Sequence, residues 1–237
     1  MDQRQSLLNL AVSVVIVVIV AVAAQMFRVR QPHVAPVRRP PVTGTAEVAP
    51  ARPGGPAQRP VEKNFQSFSN VELVDSPANE ADTLHLRLPK EGEHVFVHYF
   101  VDALDTSFTH LARVNEQSHF FGKASNDVVI ETGKQAVAYV KDLLKHHSFM
   151  VLTRWERVPD TDRYYALIRV EHEKGKWLYL SELLVRQGYA RISGVTTPLP
   201  DTDISEDDYL QVLKNAAKMA REKRLGIWAK VKKQPAN

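Results

Sequence analysis

A long apolar run near the start of the chain most constrains how the rest can be organised. Residues 7–27, LLNLAVSVVIVVIVAVAAQMF, are interrupted only by Asn9, Ser13 and Gln25. At about 1.5 Å per residue, a helix of this length spans the roughly 30 Å hydrocarbon core of a bilayer. A Val-rich helix that is apolar on every side would need cover on all sides, which the surrounding sequence does not offer. The run therefore predicts an N-terminal membrane anchor over residues 1–27.

The residues around this run are compatible with either side of the membrane for the C-terminal part of the chain. Small residues in AVAA, near its end, are also compatible with a cleaved secretory signal, which is the alternative interpretation. Arg28, Arg30, Arg38 and Arg39 follow the run, whereas Arg4 precedes it. This positive-inside bias favours the cytoplasmic side for the C-terminal part of a single-pass membrane protein, and a cleaved signal favours the opposite.

Residues 28–63 have the composition of a disordered linker. They hold eight of the 14 prolines and no aromatic residue, so they cannot bury enough apolar surface to offset the entropy of ordering. Proline stiffens such a segment into an extended tether. The sequence thus predicts four parts: an anchor over 1–27, a Pro/Arg-rich linker over 28–63, a globular domain over 64–230 and a basic tail over 231–237.

Charge and cysteine content exclude several function classes. The basic excess lies in residues 1–63, with eight Lys and Arg against three acids, while residues 64–237 carry 23 against 24. Net charge therefore gives no support for a strongly phosphate-binding domain. The chain has no cysteine, which excludes disulfides, thiolate metal sites and a cysteine nucleophile.

From Phe65 onward, hydrophobic patterning predicts a mixed domain. Five segments have the apolar pattern of strands: 70–75, 82–88, 94–102, 148–155 and 163–170. Residues 171–176, EHEKGK, are typical of a hairpin turn, and residues 106–131 are expected to be irregular. Three segments predict helices: one from the capping-box pair Thr132 and Gln135 to about residue 147, one over 180–188 ended by Gly188, and one from a Ser205 cap to Gly226. This order predicts an α+β fold with a small barrel or curled sheet and flanking helices.

Two C-terminal segments and the order of elements resemble a known family. LSELLVRQGYARI, 180–192, and LKNAAKMAREKRLGIW, 213–228, are similar to the staphylococcal-nuclease-like, or thermonuclease-like, domain. The resemblance covers roughly residues 65–229 and implies an OB-type five-stranded β-barrel with three helices. Both segments lie away from that family's active site, so they speak for the fold rather than for activity.

The resemblance also implies a set of site residues. Active members of the family hydrolyse phosphodiester bonds of DNA and RNA with Ca²⁺. Asp82, in ADTLHL, and Asp102, at the end of the third strand, match the two metal-binding acids. Asp105 stands where the family has a catalytic Glu, and Arg163, in RYYA, matches a catalytic arginine that binds the substrate phosphate. Val97, five residues before Asp102, occupies the position of the family's other phosphate-binding arginine, which comes first along the chain.

These departures are compatible with an impaired enzyme and with a protein that is not an enzyme. Valine cannot stabilise a phosphate, and a comparable donor contributes roughly 10²–10³-fold to a rate. Asp105 is also one carbon shorter than Glu, and a misplacement of about 1 Å can cost roughly 10²-fold. One hypothesis is a membrane-tethered, impaired Ca²⁺-dependent nuclease. The alternative is a catalytically degraded module that binds nucleic acid or a protein partner at the membrane, and a third is a structural protein without a ligand.

Overall fold

The computed structural model describes residues 60–232, and it confirms the α+β class. Its strands are β1 Gln66–Phe68, β2 Glu72–Leu73, β3 Thr83–Leu88, β4 Gly92–His98, β5 Val101–Ala103, β6 Phe149–Thr153, β7 Arg163–Glu173, β8 Lys176–Tyr179 and β9 Ala190–Ile192. Its α-helices are α1 Leu111–Phe120, α2 Asn126–His146, α3 Leu180–Arg186 and α4 Glu206–Glu222. Short 3₁₀ turns at Phe108–His110 and Gly226–Ala229 precede α1 and follow α4.

Seven strands form the main sheet, where the resemblance implied five. Their order is β1-β6-β7-β4-β3-β2, and β8 also pairs with β7 as the predicted hairpin partner. The pairing of β4 with β7 is parallel, and the other pairings are antiparallel. A separate ribbon joins β5 to β9. Four α-helices, rather than three, accompany the sheets within residues 60–232, because one helix forms in the stretch that was expected to be irregular.

The prediction of a single strand over 94–102 is wrong. Strand β4 ends at His98, and Phe100 adopts a φ of 73°, a left-handed conformation that is costly for a bulky residue. Phe100 is fully buried, with its ring edge-on to Tyr209 of α4 at 5.0 Å between centroids. This packing offsets the backbone strain. The sequence gives no sign of the turn, because residues 98–102 contain neither Gly nor Pro. The turn at Phe100 directs β5 away from the main sheet and pairs Asp102 with Arg191 of β9.

The expectation of irregular structure over 106–131 is also wrong. Helix α1 lies within that stretch, and α2 begins at Asn126, capped by the Ser125 hydroxyl, which accepts from the Val128 amide. Thr132 is therefore not a cap: it is buried inside α2, and its hydroxyl donates to the Val128 carbonyl at 2.7 Å. A Thr bonded to the carbonyl four residues earlier can mimic a capping signature in sequence.

The two segments that carry the family resemblance contact each other. Gly188 follows α3 with a φ of 68°, which confirms the predicted end of that helix, and Gly226 follows α4 with a φ of 52°. The Ile227 amide donates to the Gly188 carbonyl at 3.2 Å. A Cβ on Gly226 would lie 2.2 Å from the Gln187 carbonyl oxygen. Both glycines are therefore required by close backbone approach as well as by conformation.

Several sequence predictions lie outside the described residues. These are the anchor or signal over 7–27, nearly all of the linker over 28–63 and most of the tail over 231–237, and they stay predictions. Between residues 60 and 232, the structure contains no helix that is both long and apolar enough to cross a bilayer.

Candidate active site

Asp82 lies directly before β3 and is buried. Its Oδ1 accepts from the Thr83 hydroxyl at 3.1 Å, and its Oδ2 accepts from the Ala103 amide at 2.6 Å. The second bond ties the start of β3 to the end of β5. Burial raises the pKa of Asp82 to about 6, against the lowering effect of the Arg113 guanidinium.

Asp102 lies in β5 and is held by two arginines. Arg113 approaches its Oδ1 with Nη2 at 2.6 Å and Nε at 2.9 Å. Arg191, the cross-strand neighbour in β9, donates to its Oδ2 through Nε at 2.6 Å. Gln117 adds a longer contact of 3.3 Å to the same Oδ2. Both carboxylate oxygens of Asp102 are thus engaged by donors from this chain.

Asp105 follows β5 and is also buried. Its amide donates to the Gln117 side-chain oxygen at 3.0 Å, while Gln117 donates to the Ala103 carbonyl at 2.8 Å. The Asp105 Oδ2 lies 3.3 Å from the Arg113 Nε, yet it has no hydrogen-bond partner within residues 60–232. Burial raises the pKa of Asp105, against the lowering effect of Arg113.

Arg113 connects the three predicted acids, which we refer to as the acid cluster: Asp82, Asp102 and Asp105. Its guanidinium lies 3.5 Å from Asp82, 2.6 Å from Asp102 and 3.3 Å from Asp105. Burial alone would lower the pKa of Arg113, but the surrounding carboxylates outweigh it and raise the pKa. The guanidinium therefore stays charged and acts as the counter-ion of the acid cluster.

Sequence reasoning missed Arg113 and Gln117. Both lie on α1, in the stretch expected to be irregular, where the only buried residues of the helix are Val114 and Gln117. So little burial leaves no apolar stripe from which a helix could be predicted. The four-residue spacing of Arg113 and Gln117 would have placed them on one face, had the helix been recognised.

The two predicted phosphate-binding positions lie on neighbouring strands, but only that of Val97 is next to an acid of the cluster. Val97 pairs with Thr83 on one side and Tyr165 on the other, close to Asp82. Arg163 pairs with Val95, two residues further along the sheet. In the part of the chain that the structure describes, no hydrogen bond or ion pair joins the Arg163 side chain to the acid cluster.

Comparison with known proteins supports the fold. The sequence model of a family described as staphylococcal nuclease homologue matches residues 106–230. The chain belongs to this family. The match includes Arg163 and both contacting glycine turns, but it begins just after Asp105, so it does not extend to the acid cluster. No curated protein matched the chain.

Calcium, which the staphylococcal nuclease homologue family implies, does not fit the acid cluster as it is arranged. Ca²⁺ takes six to eight oxygen ligands at about 2.3–2.6 Å. Both oxygens of Asp82 and of Asp102 already accept hydrogen bonds, and a guanidinium lies among the three carboxylates. Within residues 60–232, no group of three or more acidic or histidine side chains has the geometry of a metal site. An added cation would have to displace Arg113.

Proposed function

We propose that this protein is a non-hydrolytic member of the staphylococcal nuclease homologue family, held at a membrane by residues 7–27 and acting there as a binding module. The contact of Arg113 with all three carboxylates supports this proposal. An impaired Ca²⁺-dependent nuclease, with Asp82 and Asp102 as ligands and Asp105 and Arg163 as catalytic residues, is the competing interpretation.

Hydrolysis in this family's manner needs a cation and guanidinium groups on the phosphate. The acids that would hold the cation instead pair with Arg113 and Arg191. A preorganised donor must point to where charge develops in the transition state, and Val97 supplies none. The two guanidinium groups that contact the acids, those of Arg113 and Arg191, therefore pair with carboxylates and are not free to bind a phosphate.

The test is a cleavage assay on the full-length protein in detergent. Fluorescent single-stranded DNA and RNA would be incubated with CaCl₂ at up to about 10 mM, roughly tenfold or more over typical weak Ca²⁺ sites. Asp102→Asn, purified in parallel, is the matched control, since a contaminating nuclease would appear equally in both preparations. We expect the same background in both. Calcium-dependent cleavage by the wild type that disappears in Asp102→Asn would contradict the proposal and establish the impaired nuclease.

The distribution of charge supports a specific binding surface. Residues 64–210 carry 15 Lys and Arg against 23 acids, whereas residues 211–237 carry eight against one. The near-zero net charge of the domain therefore conceals a basic C-terminal end. Most of the residues that line a groove of about 410 Å³ between α3 and α4 belong to residues 211–237. Of the lining residues, Val212, Ala216, Met219 and Leu225 are apolar, and Arg186 and Lys223 are among the polar ones.

We infer from this combination that the groove takes an acidic amphipathic segment of a protein partner. An apolar floor beside basic side chains fits a helix that has apolar residues on one face and acids beside them. Binding of single-stranded nucleic acid would call for exposed aromatic stacking platforms, and none lines this groove within the described residues.

A titration with defined probes tests this assignment. The probes are a fluorescent helical peptide of about 18 residues, with a Leu stripe and flanking Glu residues, and a single strand of about 20 nucleotides. We expect the peptide to bind the full-length protein and Met219→Glu to weaken its affinity by roughly tenfold or more. Ala138→Glu, at an exposed position of α2, is a control with the same change of charge. Preferential binding of the oligonucleotide, or equal affinity in both variants, would contradict the assignment.

A further inference from the structure

We infer that Arg113 is a built-in cation that takes the place of a divalent ion, and that its removal would uncover a divalent-cation site formed by Asp82, Asp102 and Asp105. This inference deepens the proposed function, on which it rests, by naming what prevents cation binding. It differs from the family's implied chemistry, because the wild-type chain would have no cation-binding step.

The oxygens around Arg113 are of the chemical type that binds a hard cation, although as arranged around the guanidinium the acidic side chains of residues 60–232 do not have the geometry of a metal site. Besides the three carboxylates, the Ala103 carbonyl lies 3.4 Å from Arg113 Nη2. Glu80 is 3.8 Å from Nη1 and adds a fourth carboxylate at the edge of the cluster. Carboxylate and backbone carbonyl oxygens are the ligands that Ca²⁺ and Mg²⁺ use in proteins. With the guanidinium absent, these oxygens would surround a space that needs positive charge.

An unpartnered oxygen points independently to a cation at this position. The Asp105 side chain is only 3% exposed, and its Oδ2 accepts no hydrogen bond within the described residues, although it lies 3.3 Å from Arg113 Nε. A buried carboxylate oxygen without a donor is costly. A metal ion attracts such an oxygen without the directional requirement of a hydrogen bond. The Arg113 guanidinium offers the Asp105 Oδ2 an ion pair but no hydrogen bond.

The acid cluster is held together by contacts that do not involve Arg113. The bond from the Ala103 amide to Asp82 joins β3 to β5, and the pairing of β5 with β9 fixes Asp102. Helix α2 packs closely against the Asp105 backbone, because a Cβ on Gly133 would lie 2.2 Å from the Asp105 carbonyl oxygen. Arg113 is delivered separately by α1, whose Val114 packs with a second apolar cluster that includes Leu104. The carboxylates should therefore remain close together when Arg113 is replaced.

Thermal unfolding of full-length Arg113→Ala in increasing CaCl₂ or MgCl₂, at constant ionic strength, tests the inference. We expect its Tm to rise by about 3–6 °C at a tenfold excess over the dissociation constant, and the wild-type Tm not to change. Arg87→Ala is the matched control, since Arg87 also bridges two carboxylates, Glu72 and Glu93, at an exposed site. Asp102→Asn in the Arg113→Ala background should abolish the rise.

Several outcomes would overturn the inference. These are a folded Arg113→Ala protein that does not respond to either cation, a rise that persists without Asp102, and a wild-type Tm that rises with calcium through Asp102. An Arg113→Ala protein that stays unfolded at every cation concentration would also contradict it, because a bound cation should replace the lost charge. A wild type that neither cleaves nor binds calcium, combined with an unresponsive Arg113→Ala, would refute this inference and leave the proposed function intact.

Discussion

Two regions of the molecule differ in what they require of the sequence. One is the contact between the turns at Gly188 and Gly226, and the other is the acid cluster. At Gly188 and Gly226, backbone approaches backbone so closely that no side chain fits. At the acid cluster, the requirement is a balance of charge, which a metal ion or an arginine can meet. Close packing therefore fixes the residue type at the two glycine turns, whereas the acid cluster constrains the charge that lies among its carboxylates.

The largest expected effect concerns the glycine contact. Gly226→Ala should destabilise the protein by about 3–5 kcal/mol, because it combines a left-handed conformation with a clash against the Gln187 carbonyl. Gly175→Ala is the control, since Gly175 has a φ of 75° but no atom lies within 4 Å of the position that its Cβ would take. That substitution should cost about 1–2 kcal/mol. Urea unfolding would measure both, and equal losses would show that conformation alone matters there.

Replacing Arg113 should have the next largest effect. Arg113→Ala leaves buried carboxylates without their counter-ion, and we expect a loss of about 3 kcal/mol in calcium-free buffer, moderated because the Arg113 side chain is 32% exposed. Arg87→Ala, at an exposed ion pair, should cost less than about 1 kcal/mol. Urea unfolding of the two variants compares them directly, and a similar loss in both would argue that the acid cluster contributes no more than a surface pair.

The pH dependence of stability distinguishes Asp82 from His98, a buried histidine at the end of β4. The pKa of Asp82 is raised from 3.8 to about 6, so its contribution to stability is present below about pH 4 and is lost as the pH rises through about 6. Burial lowers the pKa of His98 from 6.5 to about 3, so its contribution is present above pH 6.5 and is lost as the pH falls toward about 3. The two groups therefore oppose each other between about pH 4 and 6.

Unfolding free energies measured across this window should separate these contributions. Asp82→Asn should make stability rise more steeply with pH between about 4 and 6 than in the wild type, and His98→Gln should make it rise less steeply, each by on the order of 2 kcal/mol across the window. Parallel profiles for wild type and Asp82→Asn would mean that Asp82 is charged like an ordinary surface acid, contrary to its burial.

Much of the fold could be predicted from the sequence because its signals are local. Apolar patterning located β3 and β7, and Gly188 marked the end of α3. The resemblance identified three acids that the structure brings together around one guanidinium. Phe100 could not be predicted as a strand end, because its left-handed conformation is stabilised by packing against Tyr209, far along the chain.

The central element of the candidate site could not be predicted for a related reason. Helix α1 buries only Val114 and Gln117, so its sequence lacks a helical apolar pattern. The position of Arg113 follows from tertiary contacts of that helix rather than from any motif near Asp82 or Asp102. A resemblance that maps only matching positions cannot reveal a residue from another element that occupies the space between them.

A crystal structure of the wild-type protein grown in excess CaCl₂ tests the central claim most directly. The account predicts that Arg113 Nη2 remains within hydrogen-bonding distance of Asp102 Oδ1, as in the present 2.6 Å contact, with no ion among the three carboxylates. A calcium ion within about 2.3–2.6 Å of Asp82 and Asp102, with Arg113 displaced, would contradict it.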